Sequence, residues 1–304
     1  MFYLSSQKMT YRIPQKINTR VILVINLNTI EFTLLIGLGS MFAGLVGSLT
    51  GLGGGVVIVP LLTLAFGVDI RYAIGASLVS VIATSSGAAS AYVREGFTNL
   101  RIGMFLEIAT TIGALTGALL APHISAPAIA IVFGLALLHS AYTSHQTKEM
   151  EPNELKPDLP ATFLKMNSTY PTPQGPRAYY VQNVPGGFSV MFIAGALSGL
   201  LGIGSGALKV IAMDRIMKIP FKVSTTTSNF MIGVTAAASA GIYLNRGYID
   251  PVLAMPVMLG VLAGSMLGAK ILVKSKTRFL RSVFEGIILV LAIEMIYNGV
   301  YGKF

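Results

Sequence analysis

The sequence contains no cysteine, which excludes disulfides, iron–sulfur clusters and thiolate metal sites and leaves the redox compartment unread. Tryptophan is absent as well, so anchoring at a membrane–water interface would fall to the 12 tyrosines and to lysine and arginine. Charge is scarce: 11% of residues are charged, against about 25% in ordinary soluble domains. With 53% of its residues hydrophobic, a chain of 304 residues has too little polar surface to cover a water-soluble body. Residue sets that carry catalysis are missing too. There is no HExxH, no DxxD-type aspartate pair, no CxxC, and no Ser–His–Asp set whose members can be placed together. His123 and His139 have no partner at metal-ligand spacing. Neither an enzyme nor a bound metal or cofactor is expected.

The apolar residues fall in blocks, at Phe32–Leu49, Tyr72–Val93, Ile102–Ala121, Pro127–Tyr142, Phe188–Leu201, Val223–Leu244, Pro251–Val273 and Val283–Val300. A helix needs about 20 residues, at about 1.5 Å each, to cross a hydrocarbon layer of about 30 Å. The blocks are continuous rather than alternating, which favours membrane helices over barrel strands. The expected fold is therefore all-α and polytopic, in a plasma or inner membrane. Residues 1–30 read as a basic tail rather than a cleaved signal peptide, since no A-x-A-like site precedes the first block. The net charge of +10 suits anionic lipid headgroups and small anionic substrates, although loops obeying the positive-inside rule account for most of it. Nucleic acid is not an expected partner.

An internal repeat organises the chain. Shifted by 151 residues, AGLVGSLTGLGGGVVIV from Ala43 lies over AGALSGLLGIGSGALKV from Ala194. Gly44, Gly51, Gly53 and Gly55 fall on Gly195, Gly202, Gly204 and Gly206. Without a gap, Ser77 then meets Ser228, Thr84 meets Thr235, Tyr92 meets Tyr243, and Gly113 and Gly117 meet Gly264 and Gly268. Two repeats are thus expected at 31–142 and 188–304, separated by a Pro-rich, charged stretch at 143–187 that reads as a loosely structured extramembrane linker. Within each repeat a Gly cluster is followed by a piece too short to cross, Val56–Val68 or Ala207–Ile219, and then by three long helices. A hairpin that returns to its own side plus three crossings gives an odd number, so the second repeat should be inverted relative to the first. Repeats of this kind point to a transporter whose site lies at their interface. The distribution of Lys and Arg leans toward termini outside, against the basic N-terminal tail.

Three groups of residues are candidates for the site. The Gly clusters, Gly53, Gly54 and Gly55 with Gly204, Ser205 and Gly206, let the backbone turn and approach a ligand, and the helix that restarts presents N–H groups suited to an anion. Close helix packing by small residues is the other explanation. No Gly-Lys-Ser/Thr follows, so a phosphate-binding P-loop is excluded. Hydroxyls and an amide follow each short piece: Ser77 with Ser80, then Ser224-Thr225-Thr226-Thr227-Ser228-Asn229. Ser77, Ser228 and Asn229 could donate to anion oxygens, or the hydroxyls could bond back to their own helices. Among ionisable residues, Lys209 is the candidate positive partner for an anion, unless it snorkels to the surface. Glu107 is the candidate for proton coupling, with its place near a predicted helix end favouring an interfacial position, as for Glu285 and Glu294.

The segments LTGLGGGVVIVPLLTL and LLGIGSGALKV, with ASLVSV and TSNFMIG after them, resemble the sulfite exporter TauE/SafE family of membrane permeases over Leu34–Val300. The resemblance implies about eight helices in two halves and transport of sulfite, sulfoacetate or related organosulfur anions. The family's glycine signature lands on Gly51, Gly53, Gly54 and Gly55 and on Gly202, Gly204 and Gly206; Ser205 stands where a glycine is usual, and Lys209 lies inside the second copy. A carrier of a cation or neutral solute built on Glu107, and a non-transporting membrane scaffold, are the alternatives.

Overall fold

A computed structural model describes residues 29–48, 54–94, 96–145, 158–172, 175–274 and 277–302. In chain order the elements are α1 (Thr29–Ser48), α2 (Gly55–Pro60) running on into a π turn (Leu61–Ala65), α3 (Ile70–Arg94), α4 (Leu100–Leu120) with a 3-10 turn after it, and α5 (Ala126–His145). Next come α6 (Leu159–Phe163), strands β1 (Ser168–Thr172) and β2 (Gly175–Tyr179), and α7 (Val184–Leu201). Then α8 (Gly206–Ile211) runs into a second π turn (Ala212–Ile216), followed by α9 (Phe221–Asn245), α10 (Pro251–Lys274) and α11 (Thr277–Val300). Every apolar block of the sequence has become a helix. From the Gly clusters onward the matched elements also begin 151 residues apart: 55 and 206, 61 and 212, 70 and 221, 100 and 251, 126 and 277.

Packing follows the same correspondence. α1 lies along α10 and α4 lies along α7, which is one contact made twice, because α7 and α10 match α1 and α4. α3 packs on its own counterpart α9, and α5 on α11. Two bundles result, α1–α2–α3–α10 and α7–α8–α9–α4, each with one helix lent by the other repeat. Glycine sets the close approach within them. A methyl group on Gly113 or Gly117 would overlap carbonyl oxygens of Phe192 or Ala196, and one on Gly195 or Gly199 would overlap those of Thr110 or Ala114. Gly44 and Gly264 play the same part between α1 and α10, against Val261 and Met41. Small residues at such contacts bring backbones together where no hydrophobic driving force exists between helices.

The outward faces are apolar. On α4, Met104, Ile108, Ile112, Leu115 and Leu119 recur every third or fourth position and are all at least 36% exposed. Leu100–His123 and Val184–Leu201 are long and apolar enough to cross a membrane alone, and Glu31–Leu45, Ile70–Ser85, Ala126–Tyr142, Pro251–Leu267 and Gly286–Val300 are apolar stretches within α1, α3, α5, α10 and α11.

The two hairpins open at opposite ends of α9. Phe32 at the start of α1 meets Phe66 edge-on, just past the first π turn, with ring centroids 6.0 Å apart. The chain then enters α3, where Tyr72 packs at 5.6 Å on Tyr248, which lies beyond the C-terminal end of α9. In the second hairpin Gln182 N donates to Met217 O at 3.0 Å, and Met217 leads directly into the N-terminal end of α9.

The segment between the repeats departs from expectation. Its composition predicts a loose connector, yet its described parts, 158–172 and 175–183, are folded. Pro160 sits in the first turn of α6, where its missing N–H has no intrahelical role. The antiparallel β1–β2 pair follows. Ala161, Met166, Tyr179 and Val181 are buried in one cluster with Ile102 and Leu106 of α4 and Met217 of the second hairpin. Asn99 joins the parts: its amide donates to Met166 O at 3.1 Å and to the Tyr179 hydroxyl at 2.7 Å, while its Oδ1 caps α4 at Ile102 N. Burial pushes the Tyr179 phenol above the usual tyrosine range, so it stays neutral in that bond. Composition marks the segment as non-membrane; the apolar residues that dock it are too few and too scattered to form a periodic signal.

The glycine contacts are testable by adding one methyl group. Gly117→Ala is expected to lower stability by about 1–3 kcal/mol, as overpacking does, and to reduce the apparent Tm of the detergent-solubilised protein. Gly241→Ala, at a site with open space around it, should leave Tm unchanged.

Candidate functional site

The tips of the two hairpins meet. Gly55 at the start of α2 is close enough to the second tip that a methyl there would crowd the Ser77 hydroxyl and Val81 and come within 3.1 Å of Gly202 O. The Ser77 Oγ donates to that same Gly202 carbonyl at 2.8 Å, and the Ser228 Oγ donates to Gly206 O at 3.2 Å. Both serines are buried. In this arrangement each spends its one hydrogen on a backbone carbonyl of the second tip: Gly202 O, freed at the end of α7, and Gly206 O in the first turn of α8. The serines therefore act on the second Gly cluster, and neither bonds back within its own helix as Ser80 does to Ala76 O.

The clusters differ at the matched positions Gly54 and Ser205. In the second, Gly202 (φ 68°), Gly204 (φ 69°) and Ser205 (φ 45°) all occupy the left-handed region. Glycine accepts that region freely, and serine is held there at an energetic cost. In the first, Gly54 is right-handed (φ −63°), and close approach is what requires small residues: a methyl on Gly54 would meet Val261. Gly51 and Gly53 lie outside the described residues. Ser205 is buried, and its hydroxyl has no hydrogen-bond partner.

A charged centre adjoins the second tip. Lys209 is fully buried and does not snorkel. Its Nζ donates to the Thr235 Oγ1 at 2.5 Å, and the Thr235 hydroxyl in turn reaches Glu107 Oε1 at 2.7 Å, with Met231 O as its other acceptor at 2.9 Å. Thr111 adds a donor to Glu107 Oε1 at 3.2 Å, and Oε2 is buried without a partner. Glu107 is only 8% exposed, so the interfacial position expected from its place near a helix end is overturned. The reason is geometric: this stretch of α4 faces α7 and α9, while the folded linker covers the end of the helix. Glu294 is exposed, and the Glu285 side chain lies outside the described residues. Asn229 is half-buried on α9. Thr235 was passed over by the reading of single residues, although its register with Thr84 marked it. Among the described residues no group of three His, Asp or Glu is disposed to hold a metal ion.

Buried charges demand partners, and here one hydroxyl serves both. This polar centre joins α4, α8 and α9 within the second bundle.

The model of one family, sulfite exporter TauE/SafE, matches residues 36–295. The chain belongs to the sulfite exporter TauE/SafE family. It is a membrane transport protein. The chain is 29% identical over 279 residues to the Probable membrane transporter protein YunE of Bacillus subtilis, covering 89% of this chain and 99% of that protein. It is 24% identical over 284 residues to a probable membrane transporter protein of Methanocaldococcus jannaschii, covering 88% of this chain and 97% of the relative. A probable membrane transporter protein of Xylella fastidiosa is 25% identical over 273 residues, covering 88% and 96%. No solved structure matches the chain.

Removing one member of a buried pair strands the other. Lys209→Met alone is expected to destabilise the protein by about 3 kcal/mol, and Lys209→Met combined with Glu107→Gln to recover most of that loss. Thermal unfolding of the single and double variants in detergent checks the difference.

Proposed function

We propose that this family member is a multi-pass secondary transporter of the plasma or inner membrane, carrying small anions of the sulfite and organosulfonate class by alternating access between two inverted halves. The observation that carries the reading is the junction of the two hairpin tips, Gly55 against the Gly202 carbonyl, with Lys209 buried on the short helix that follows the second tip. Inversion is supported by the opening of the hairpins at opposite ends of α9. The sulfite class is supported by the description of the family.

In this reading Gly53, Gly54 and Gly55 and Gly204, Ser205 and Gly206 line the anion from two sides with backbone groups. Lys209 supplies the fixed positive charge, and the unpartnered Ser205 hydroxyl donates to an anion oxygen. Ser77 and Ser228, with Asn229 nearby, exchange their glycine carbonyls for the anion when the tips part. Hydroxyl donors hold an anion without adding charge, which keeps release feasible. A carrier of cations is the second reading, favoured by the unpartnered Oε2 of Glu107. It predicts that transport collapses in Glu107→Gln while none of the anions binds.

A thermal-shift screen of the purified protein over sulfite, sulfate, thiosulfate and sulfoacetate is expected to give stabilisation by at least one. Uptake of that anion into proteoliposomes should be weakened about thirtyfold in apparent affinity in Ser77→Ala with Ser228→Ala, two hydroxyl bonds at about 1 kcal/mol each. Undiminished uptake by the double variant would remove the hydroxyls from the mechanism.

A further inference from the structure

Among the described residues the charged centre occurs in one bundle only. At the 151-residue offset the counterparts of Glu107, Lys209 and Thr235 are Met258, Ile58 and Thr84, so the corresponding place in the α1–α2–α3–α10 bundle is uncharged. The single pair is neutral in sum, and its environment is closed. Few other charged groups face it. α7 carries no titratable residue, and α8 contributes Lys209 alone. On α4 itself the Arg101 guanidinium bonds outward to Lys165 O. On α9, Lys222 is exposed, 5.9 Å over the Phe97 ring, and Tyr243 reaches Leu200 O near the opposite end of the helix. In the second π turn Asp214 is paired electrostatically with Arg215 and Lys218. In the linker, Tyr179 is held by Asn99.

An anion that takes Lys209 as its counter-ion adds a negative charge to a centre that already holds Glu107. The two like charges would share one cation in a place where water cannot screen them, and a carboxylate so placed takes up a proton. Its Oε2 is buried, has no partner, and is available to carry that proton. Thr235 makes the exchange a local step. Its oxygen links both charges, so displacement of Lys209 from Thr235 also loosens Glu107.

We propose that Glu107 takes one proton from solution for each anion that displaces it from Lys209, so that the anion and a proton cross together. This rests on anion transport as the function. Thr235 is a positioning residue in this exchange, and the proton is released to the opposite side when the anion leaves and Lys209 returns.

The test titrates thiosulfate, whose own charge is constant near neutral pH, into purified protein in weakly buffered detergent containing a pH dye. Uptake of one proton per anion bound is expected, together with an affinity that falls by up to about tenfold per pH unit on the alkaline side. Glu107→Gln, neutral at every pH, should bind thiosulfate with no proton uptake, measured at a pH low enough that Lys209 stays charged without its carboxylate partner. Thiosulfate binding to the wild type without proton uptake overturns the proposal, whether or not the variant folds. So does proton uptake that persists in Glu107→Gln at that pH. Failure of thiosulfate and of the other three screened anions to bind removes the anion reading itself, and this inference with it.

Discussion

A helix broken in an apolar surrounding frees backbone carbonyls and N–H groups that lipid cannot satisfy, and each one left alone costs several kcal/mol. At the break Gly202–Gly206 the protein supplies a partner for the carbonyl that the end of α7 frees. Ser77 comes from α3 of one repeat and Ser228 from α9 of the other, and each donates to a carbonyl of the same tip. Most else follows from this requirement. The α3–α9 contact has to lie at the centre of the molecule, the two tips have to approach within van der Waals distance, and the residues between them have to be small.

Close approach is also what the long helices provide. Glycine contacts between α4 and α7, and between α1 and α10, let carbonyls sit where side chains would otherwise stand. They lock each tip's entering helix to a helix borrowed from the other repeat. The polar centre of Glu107, Thr235 and Lys209 lies inside one such bundle, where a rigid frame holds two opposite charges on either side of a single hydroxyl. A looser frame would admit water and let each charge find its own solvation. The symmetric architecture thus carries an asymmetric charge, and the chemistry resides in the departure from symmetry.

Much of this was legible beforehand, for identifiable reasons. Membrane helices write themselves as unbroken apolar runs, and every one of them became an element. The repeat was legible because Gly, Ser, Thr and Tyr at one constant offset are improbable in a chain dominated by interchangeable apolar residues. The folded linker was not, because Ala161, Met166, Tyr179 and Val181 gain their burial from α4 and the second hairpin rather than from one another. Glu107 was misplaced for a related reason: distance from a helix end measures depth along one helix and says nothing of the neighbours that cover it.

The sequence by itself therefore determined composition-driven properties: a helical membrane body, two related sets of elements, and Gly-rich breaks at matched positions. These depend on local periodicity and on residue type, which a linear chain states directly. The tertiary structure alone decided which serine serves which carbonyl, that Lys209 is sealed from water, and that Thr235 stands between it and Glu107. Such contacts join residues far apart in the chain through the packing of separate helices. Burial and hydrogen bonding are properties of that packing, and no segment carries them alone.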